Sequence, residues 1–223
     1  MTRPPAVAVM AKVPGAAPVK SRLHAALGPE RATELYRCFL LDRLDGLAAL
    51  PSFIRRVVAF SPPEAADQMA ALAPPGVDLL AQRGDGLTGR LTGVFDDLFE
   101  DGHIAVVALD SDSPTLPMTY VAQAAAVLAH GGADLVIGPS DDGGYYLVGL
   151  DRRRPKLFDG IPWSTSETRA ATLARARDLG LSALLLPRWF DVDTPEDLQR
   201  LCADPAARNA APRTAAFLAT LAG

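Results

Sequence analysis

Short apolar stretches alternate with segments of helical period along this chain, and this alternation restricts the possible folds more than any other feature. Short apolar strands that alternate with helices are typical of a mostly parallel sheet covered by helices on both faces. We therefore predict an α/β fold. The stretches of strand length lie at residues 6–11, 54–60, 77–80, 104–109, 134–138, 145–150 and 183–187.

The helical pattern is clearest in residues 30–50. Five apolar residues there fall three and four positions apart, which predicts one apolar helix face; they are Leu35, Phe39, Leu40, Leu44 and Leu47. Further helices are predicted over 64–72, 87–100, 118–130, 166–179 and 195–203.

The sheet is expected to be mixed rather than purely parallel. Only a short segment around SDDGG separates the stretches 134–138 and 145–150, and this is the spacing of a hairpin with antiparallel strands. The sequence contains no internal repeat and no clear linker. A single domain over residues 1–223 is therefore the prediction.

Composition and charge exclude several classes of function. The chain is 49% hydrophobic and 22% charged, as in ordinary globular proteins, and its net charge is −4. A nucleic-acid-binding face would need a basic excess, and a membrane span or secretory signal would need a longer apolar segment. We expect a cytoplasmic protein without nucleic-acid or membrane partners, with Cys38 and Cys202 as reduced core residues.

The loop after the first strand, AKVPGAAPVKSRL at residues 11–23, contains Lys20 and Arg22 before a helix. Such a loop offers backbone N–H groups and cations to a polyphosphate, although a proline-rich surface loop is the alternative. It is not a Walker A loop, since Pro14 and Val19 stand where that motif needs glycines.

A second loop, AQRGDGLTGRL at residues 81–91, is rich in glycine. Gly84, Gly86 and Gly89 would let the backbone approach a ligand closely. A simple turn from the loop into a helix explains the same residues nearly as well.

Aspartates are concentrated after two further strands. Asp110 and Asp112 follow the buried stretch 104–109, where a carboxylate can hold a cation, although Asp110 can equally cap the next turn. In RWFDVDTPEDLQRL, Thr194 to Asp197 is a helix start, whereas Asp191 and Asp193 stand outside it and point the same way. Magnesium is usually held by one or two carboxylates and phosphate oxygens, so Asp112, Asp191 and Asp193 could converge on Mg²⁺ (or Mn²⁺).

Two other segments admit two interpretations each. The Asp-Gly-Gly of residues 142–144 is either a hairpin tip or a loop that serves a substrate. In IPWSTSETR, Ser164 and Glu167 fit a capping box. Trp163, directly before them, either packs as a hydrophobic staple or forms a wall of an acceptor pocket.

In their order, six motifs of the chain resemble those of a known bacterial family. The motifs AKVPG…VKSRL, QRGDGLTGR, DSDSPTLP, GPSDDGGYYLVGL, WST and DVDTPEDL are similar to the radical-SAM/selenodomain-associated transferases, of the GT-A or nucleotide-diphospho-sugar transferase superfamily. The resemblance runs from about residue 6 to 201. A more distant similarity is to 2-phospholactate (or phosphoenolpyruvate) and molybdenum cofactor guanylyltransferases.

The resemblance implies a GT-A fold with a mixed, mostly parallel sheet, and it implies a role for each matched residue. Asp112, with Asp191 and Asp193, matches the metal site. Two places depart from the family pattern: the second motif has one extra residue in GDGLTGR, and Asp110 replaces a small residue. The nucleotide-binding set is Lys12, Gly15, Lys20, Arg22, Gln82, Gly84 and Gly86, and the acceptor-binding set is Asp142, Gly143, Gly144 and Tyr145, with Trp163 as a candidate.

Three functions are compatible with these motifs. The first is transfer of a nucleotidyl group from a nucleoside triphosphate to a small phosphate- or phosphonate-bearing acceptor, with Lys20, Arg22 and Asp112 as catalytic residues. The second is glycosyl transfer from a nucleotide sugar, with Asp141 or Asp142 as the base. The third is nucleotide binding without catalysis.

Overall fold

A computed structural model of the chain describes residues 2–221. Its sheet has seven strands in the order β3-β2-β1-β4-β6-β5-β7. Strand β6 is antiparallel to both of its neighbours, and the remaining neighbours run parallel. The predicted mixed, mostly parallel sheet and the antiparallel β5–β6 pair are thus confirmed.

All seven predicted strands are present, with their ends displaced by a few residues. They are β1 (Ala6–Lys12), β2 (Arg55–Ser61), β3 (Asp78–Ala81), β4 (Val106–Leu109), β5 (Leu135–Pro139), β6 (Tyr145–Leu150) and β7 (Ala183–Leu185). The helices are α1 (His24–Leu27), α2 (Pro29–Ala48), α3 (Ala66–Ala70), α4 (Gly86–Glu100), α5 (Met118–Ala129), α6 (Thr168–Asp178), α7 (Pro195–Ala203), α8 (Ala207–Ala210) and α9 (Pro212–Leu221).

Helices cover both faces of the sheet because successive strand side chains point to opposite sides. Val7 and Val9 of β1 pack in one core with α2, α3 and α5. Ala6 and Ala8 pack in a second core with α4 and α6. This two-sided burial explains why the strands are apolar at successive positions rather than at alternate ones.

Helix α2 is buried on two sides, which differs from the single apolar face that the spacing predicts. Leu40, Leu44 and Leu47 pack against the sheet. Leu35 and Phe39 instead pack against the C-terminal part of the chain, in a third core. The pattern looked like one face because the two sets lie next to each other on the helix.

The C-terminal helices α8 and α9 were not predicted from the sequence. Helix α9 packs on α2, and the Asp42 carboxylate of α2 accepts hydrogen bonds from the backbone N–H groups of Arg213 (3.1 Å) and Thr214 (2.8 Å). The first N–H groups of a helix have no partner within it, so this buried carboxylate caps α9 from a distant helix.

Of four local predictions, two are wrong and two are confirmed. The helix expected after Ser164 begins only at Thr168, since the Thr165 and Thr168 hydroxyls donate to Pro162 O and form a turn there instead. Cys38 is buried as expected, whereas Cys202 is exposed on α7, on the side away from the core. The capping box of Thr194 and Asp197 is present at the start of α7.

Replacing Asp42 tests the attachment of α9. We expect Asp42→Ala to lower the free energy of unfolding by about 1–3 kcal/mol, because two backbone donors lose their acceptor. Urea denaturation followed by circular dichroism measures the change. Asp45→Ala is the matched control, since the exposed Asp45 pairs only with the Arg213 side chain and should cost at most about 1 kcal/mol. An equal loss in both variants would contradict the capping role.

Candidate functional site

A cavity of about 520 Å³ lies beyond the carboxyl ends of β1, β2, β3 and β4. These four strands are parallel, so the loops that follow them meet at one edge of the sheet. Residues at the end of each strand or in the segment that follows it line the cavity, together with one residue each of two later segments. The lining includes Lys12, Lys20, Arg22, Tyr36, Ser61, Gln82, Arg90, Asp110, Ser111, Asp112, Ser164 and Asp193.

Lys20 links two of the predicted metal ligands. Its ammonium lies 2.6 Å from an oxygen of Asp112 and 2.6 Å from an oxygen of Asp193. The Lys20 side chain is 2% exposed, and its backbone is left-handed (φ 47°), an unusual conformation for a residue with a side chain. Burial by itself lowers the pKa of Lys20, but the two carboxylates outweigh it and hold the pKa above its usual range.

Asp191 lies beside this pair and has a different partner. The Ser140 hydroxyl donates to Asp191 at 2.7 Å, and the intervening Val192 is fully buried with its N–H bonded to Asp112 O (3.0 Å). Burial raises the pKa of Asp191, and the negative charges of Asp142 and Asp193 add to this rise, whereas the Ser140 hydroxyl opposes it. Asp191 and Asp193 therefore flank a buried valine, but only Asp193 lines the cavity among the described residues of this segment.

The three acids are close to one another but do not form a complete metal cage. Within residues 2–221, no group of three or more His, Cys, Asp or Glu side chains is arranged to hold a metal ion. The Asp112–Asp193 pair nonetheless presents two oxygens to one cation, the ammonium of Lys20. Hard carboxylate oxygens on one or two residues are the usual protein share of a magnesium site. Asp112 and Asp193 thus have the donor atoms of such a site, and the Lys20 ammonium contacts both of them.

Asp110 occupies a separate position at the base of the cavity. The Ser113 hydroxyl donates to its carboxylate at 2.7 Å, which is a contact within the following turn, as one of the two interpretations expected. Burial raises the pKa of Asp110 to about 7, and Asp112 adds to this rise, whereas Arg43 and Ser113 oppose it. Its second oxygen is buried without a hydrogen-bond partner among the described residues.

Tyr36 of α2 positions the first loop, and sequence analysis missed it. Its hydroxyl accepts from Lys12 N (3.0 Å), donates to Lys12 O (3.1 Å) and lies 3.0 Å from the Ser111 hydroxyl. Burial raises the pKa of Tyr36 above its usual range, so the hydroxyl stays protonated. In the sequence Tyr36 appears as one more apolar-face residue of a helix, and nothing nearby indicates this contact.

Gln82 lines the cavity on the side of β2 and β3. Its amide nitrogen donates to Ala59 O (2.6 Å) and Ala11 O (3.3 Å), which leaves its carbonyl oxygen free to accept from a ligand. Gly84 and Gly86 do not line the cavity. Gly84 instead lies against Gly89, where a Cβ on Gly84 would meet the Gly89 backbone at 2.8 Å. The second interpretation of the glycines, a tight turn into α4, is the one that fits.

The predicted acceptor loop lies beside Asp191 but does not line the cavity. Asp142 accepts from Gly144 N at 2.8 Å, in a turn at the tip of the β5–β6 hairpin. Gly143 has a left-handed backbone (φ 94°), and a Cβ there would lie 2.3 Å from Ser166 O. Asp141 is paired with Arg200 at 2.7 Å. An acceptor role for residues 142–145 stays a prediction.

Trp163 joins the WST segment to α4. Its indole N–H donates to the Thr88 hydroxyl at 2.6 Å, and its ring packs against Tyr145 and Phe158. Trp163 does not directly precede a helix, since α6 begins at Thr168, and it does not line the cavity; a place for it in an acceptor pocket stays a prediction. It places the next residue, Ser164, at the cavity, with a left-handed backbone (φ 60°) that sequence analysis did not anticipate.

The structure therefore brings together one part of the predicted site. Lys12, Lys20, Arg22, Gln82, Asp112 and Asp193 line one cavity. Arg90 adds a further cation, and its place at the end of the motif QRGDGLTGR was a signal that could have identified it. The predicted residues outside the lining are Gly15, Gly84, Gly86, Asp142, Gly143, Gly144, Tyr145, Trp163 and Asp191.

Comparisons with known proteins place the fold. Residues 47–165 match the family described as "Uncharacterized protein conserved in bacteria (DUF2064)". A provisionally named nucleotide-diphospho-sugar transferase from Desulfovibrio desulfuricans G20 is 33% identical, with a TM-score of 0.88 over 99% of this chain and 95% of that one. No curated protein matches the chain.

Two enzymes at low sequence identity share the fold. One is the 4-diphosphocytidyl-2C-methyl-D-erythritol synthase from Anaerococcus prevotii DSM 20548 (9% identity, TM-score 0.59, 97% of this chain and 96% of that one). The other is a cytidylyltransferase from Leptospira borgpetersenii serovar Hardjo-bovis strain JB197 (13%, 0.54, 90% and 86%). The domain thus has the GT-A-like fold of nucleotide-utilising transferases. Within residues 2–221, no helix is long and apolar enough to cross a membrane.

Removing the Tyr36 hydroxyl tests its role in the site. We expect Tyr36→Phe to lower the free energy of unfolding by about 1–3 kcal/mol, because the buried Lys12 N–H loses its acceptor. Thermal and urea denaturation measure the loss. Tyr120→Phe removes a hydroxyl from a ring that packs on Trp189 and should change stability by less than about 0.5 kcal/mol. If both variants unfold like the wild type, Tyr36 does not secure the loop.

Proposed function

This chain belongs to the bacterial family DUF2064, and we propose that it is a metal-dependent nucleotidyltransferase that uses a nucleoside triphosphate. The observation that carries the proposal is the cavity at the strand ends. It combines two carboxylates on one cation position with the cations Lys12, Arg22 and Arg90. A triphosphate with its divalent metal is the ligand whose charges complement this set. The closer assignment to the radical-SAM/selenodomain-associated transferases, made from the motifs, is part of this proposal.

The proposed reaction joins an acceptor to the α-phosphorus of the nucleotide. An oxygen of a phosphate or phosphonate on a small acceptor forms the new bond, and the bond from the α-phosphorus to the bridging oxygen breaks. Pyrophosphate leaves with the bonding electrons. An acceptor oxygen that is already ionised at neutral pH needs no general base. Such chemistry rests on positioning and on electrostatic stabilisation.

Separate groups of residues would bind the phosphates, the base and the metal. Lys20, Arg22 and Arg90 would hold the phosphates of the donor and then the leaving pyrophosphate. Gln82 would accept a hydrogen bond from the base. Asp112 and Asp193, with Asp191 beside them, would hold Mg²⁺ or Mn²⁺, which when bound supplies positive charge to the reacting phosphoryl oxygens.

Glycosyl transfer from a nucleotide sugar is the second candidate, favoured by the name of the relative that is 33% identical. An inverting glycosyltransferase needs a base for a hydroxyl acceptor. The two carboxylates predicted for that role are engaged elsewhere, Asp141 with Arg200 and Asp142 with Gly144 N. Because both carboxylates already have partners, we place nucleotidyl transfer first.

Pyrophosphate release tests the proposal directly. The purified protein would be supplied with Mg²⁺ and each nucleoside triphosphate, with phosphoenolpyruvate, phospholactate and sugar phosphates as acceptors. We expect pyrophosphate with at least one pair and a loss of at least about 10²-fold in Asp193→Ala, as for the loss of one preorganised electrostatic group. Asp178→Ala, on the exposed end of α6, is the control with the same chemical change. Turnover of a nucleotide sugar without any pyrophosphate would contradict nucleotidyl transfer.

A pair of variants separates the two reactions. If nucleotidyl transfer is correct, Asp142→Asn keeps most of the turnover, because no base is required, whereas Lys20→Ala loses at least about 10²-fold. Steady-state rates of both variants, measured with the best donor and acceptor, give the answer. A severe loss in Asp142→Asn with a rate that depends on a hydroxyl acceptor would favour glycosyl transfer instead.

A further inference from the structure

We propose that the site takes its divalent metal as a metal–polyphosphate complex and largely rejects the free ion, because Lys20 already occupies the cation position. The inference rests on the proposed function, in that it assumes a polyphosphate ligand. It concerns the form in which that ligand binds. The Lys20 ammonium contacts one oxygen of Asp112 and one oxygen of Asp193, each at 2.6 Å.

Lys20 is held where it is by several independent contacts. Its side chain is 2% exposed, its ammonium lies 5.5 Å from the centroid of the Phe39 ring, and its backbone is left-handed. An ammonium that is buried between two carboxylates compensates their charge as a metal ion would. A metal that arrives alone must therefore compete with an internal cation that is already in place.

The displaced ammonium would meet mostly positive charge unless an anionic ligand is bound. The cavity that Lys20 would enter is lined by three further cations, Lys12, Arg22 and Arg90, against one further acid, Asp110, which is buried and already accepts from Ser113. Moving a fourth positive charge among them raises the electrostatic energy. A polyphosphate reverses this, since its negative charges accept the ammonium in the same cavity. Binding of the metal therefore favours binding of the polyphosphate, and binding of the polyphosphate favours binding of the metal.

This arrangement predicts positive coupling between the two ligands. If the polyphosphate increases the affinity for the metal, the metal increases the affinity for the polyphosphate by the same factor. Such couplings are commonly about 5–150-fold. The coupling should depend on Lys20, since the other three cations do not contact the carboxylate pair.

Binding of free Mn²⁺ is the first measurement. The unbound metal would be followed by electron paramagnetic resonance in titrations of the wild type, Lys20→Met and Lys12→Met. We expect Lys20→Met to bind free Mn²⁺ at least about tenfold more tightly than the wild type, within the usual range of coupling. Lys12→Met removes the same charge from the same cavity, but Lys12 bonds Pro18 O and leaves the carboxylate pair covered. Its affinity should stay near that of the wild type.

The second measurement uses inorganic triphosphate as the probe. Calorimetry would compare the wild type with metal-free triphosphate and with the preformed Mn²⁺–triphosphate complex. We expect the wild type to bind the Mn²⁺–triphosphate complex at least about tenfold more tightly than metal-free triphosphate. This ratio of affinities should be smaller in Lys20→Met. The coupling in the wild type is informative even if the variant is unstable, and thermal unfolding of each variant checks its fold.

Two results would overturn the inference. The first is an affinity for free Mn²⁺ that is the same in the wild type and in Lys20→Met. The second is an equal increase of that affinity in Lys20→Met and Lys12→Met, which would show an effect of net charge alone. Failure of the proposed function looks different: no pyrophosphate would be released with any nucleoside triphosphate and acceptor, whereas the binding of free Mn²⁺ could still be compared between the variants.

Discussion

The ion contacts of Lys20 join the three chain segments on which the site depends. Lys20 belongs to the loop after β1, Asp112 to the loop after β4, and Asp193 to the segment before α7. Lys20 is buried whereas its two partners are 37% exposed, so removing either carboxylate leaves a buried charge with less compensation. The same interaction thus also attaches the segment before α7 to the loops after β1 and β4.

Around this contact the fold supplies a rigid frame. Strands β1 and β4 are parallel neighbours with Val9 opposite Leu109, so the segments that follow them leave the sheet at the same edge. Tyr36 joins the loop after β1 to the loop after β4, because its hydroxyl bonds Lys12 N and the Ser111 hydroxyl. The frame holds the two carboxylates and the Lys20 ammonium in contact at one edge of the sheet.

Part of the site comes from the C-terminal part of the chain, outside the four parallel strands whose ends surround the cavity. Val192 is buried in the core that includes part of α2, while Asp193 on one side of it contacts Lys20 and Asp191 on the other side accepts from Ser140. Helix α9 in turn packs on α2 and is capped by Asp42. Burial of α2 on two sides therefore connects the stability of the C-terminal helices to the position of the acids.

The sequence by itself determined the elements of this protein and most of the chemistry at the strand ends. Apolar runs and helical spacing depend on local burial, so seven strands and the antiparallel β5–β6 pair could be predicted, and Asp112, Asp193 and Lys20 stood out as charges after buried strands. Only the tertiary structure decided which partners they have. That Lys20 bridges Asp112 and Asp193, that Tyr36 and Arg90 line the cavity, and that Ser164 begins no helix all depend on segments far apart in sequence. Contacts of that kind arise from packing, and residue spacing carries no record of them.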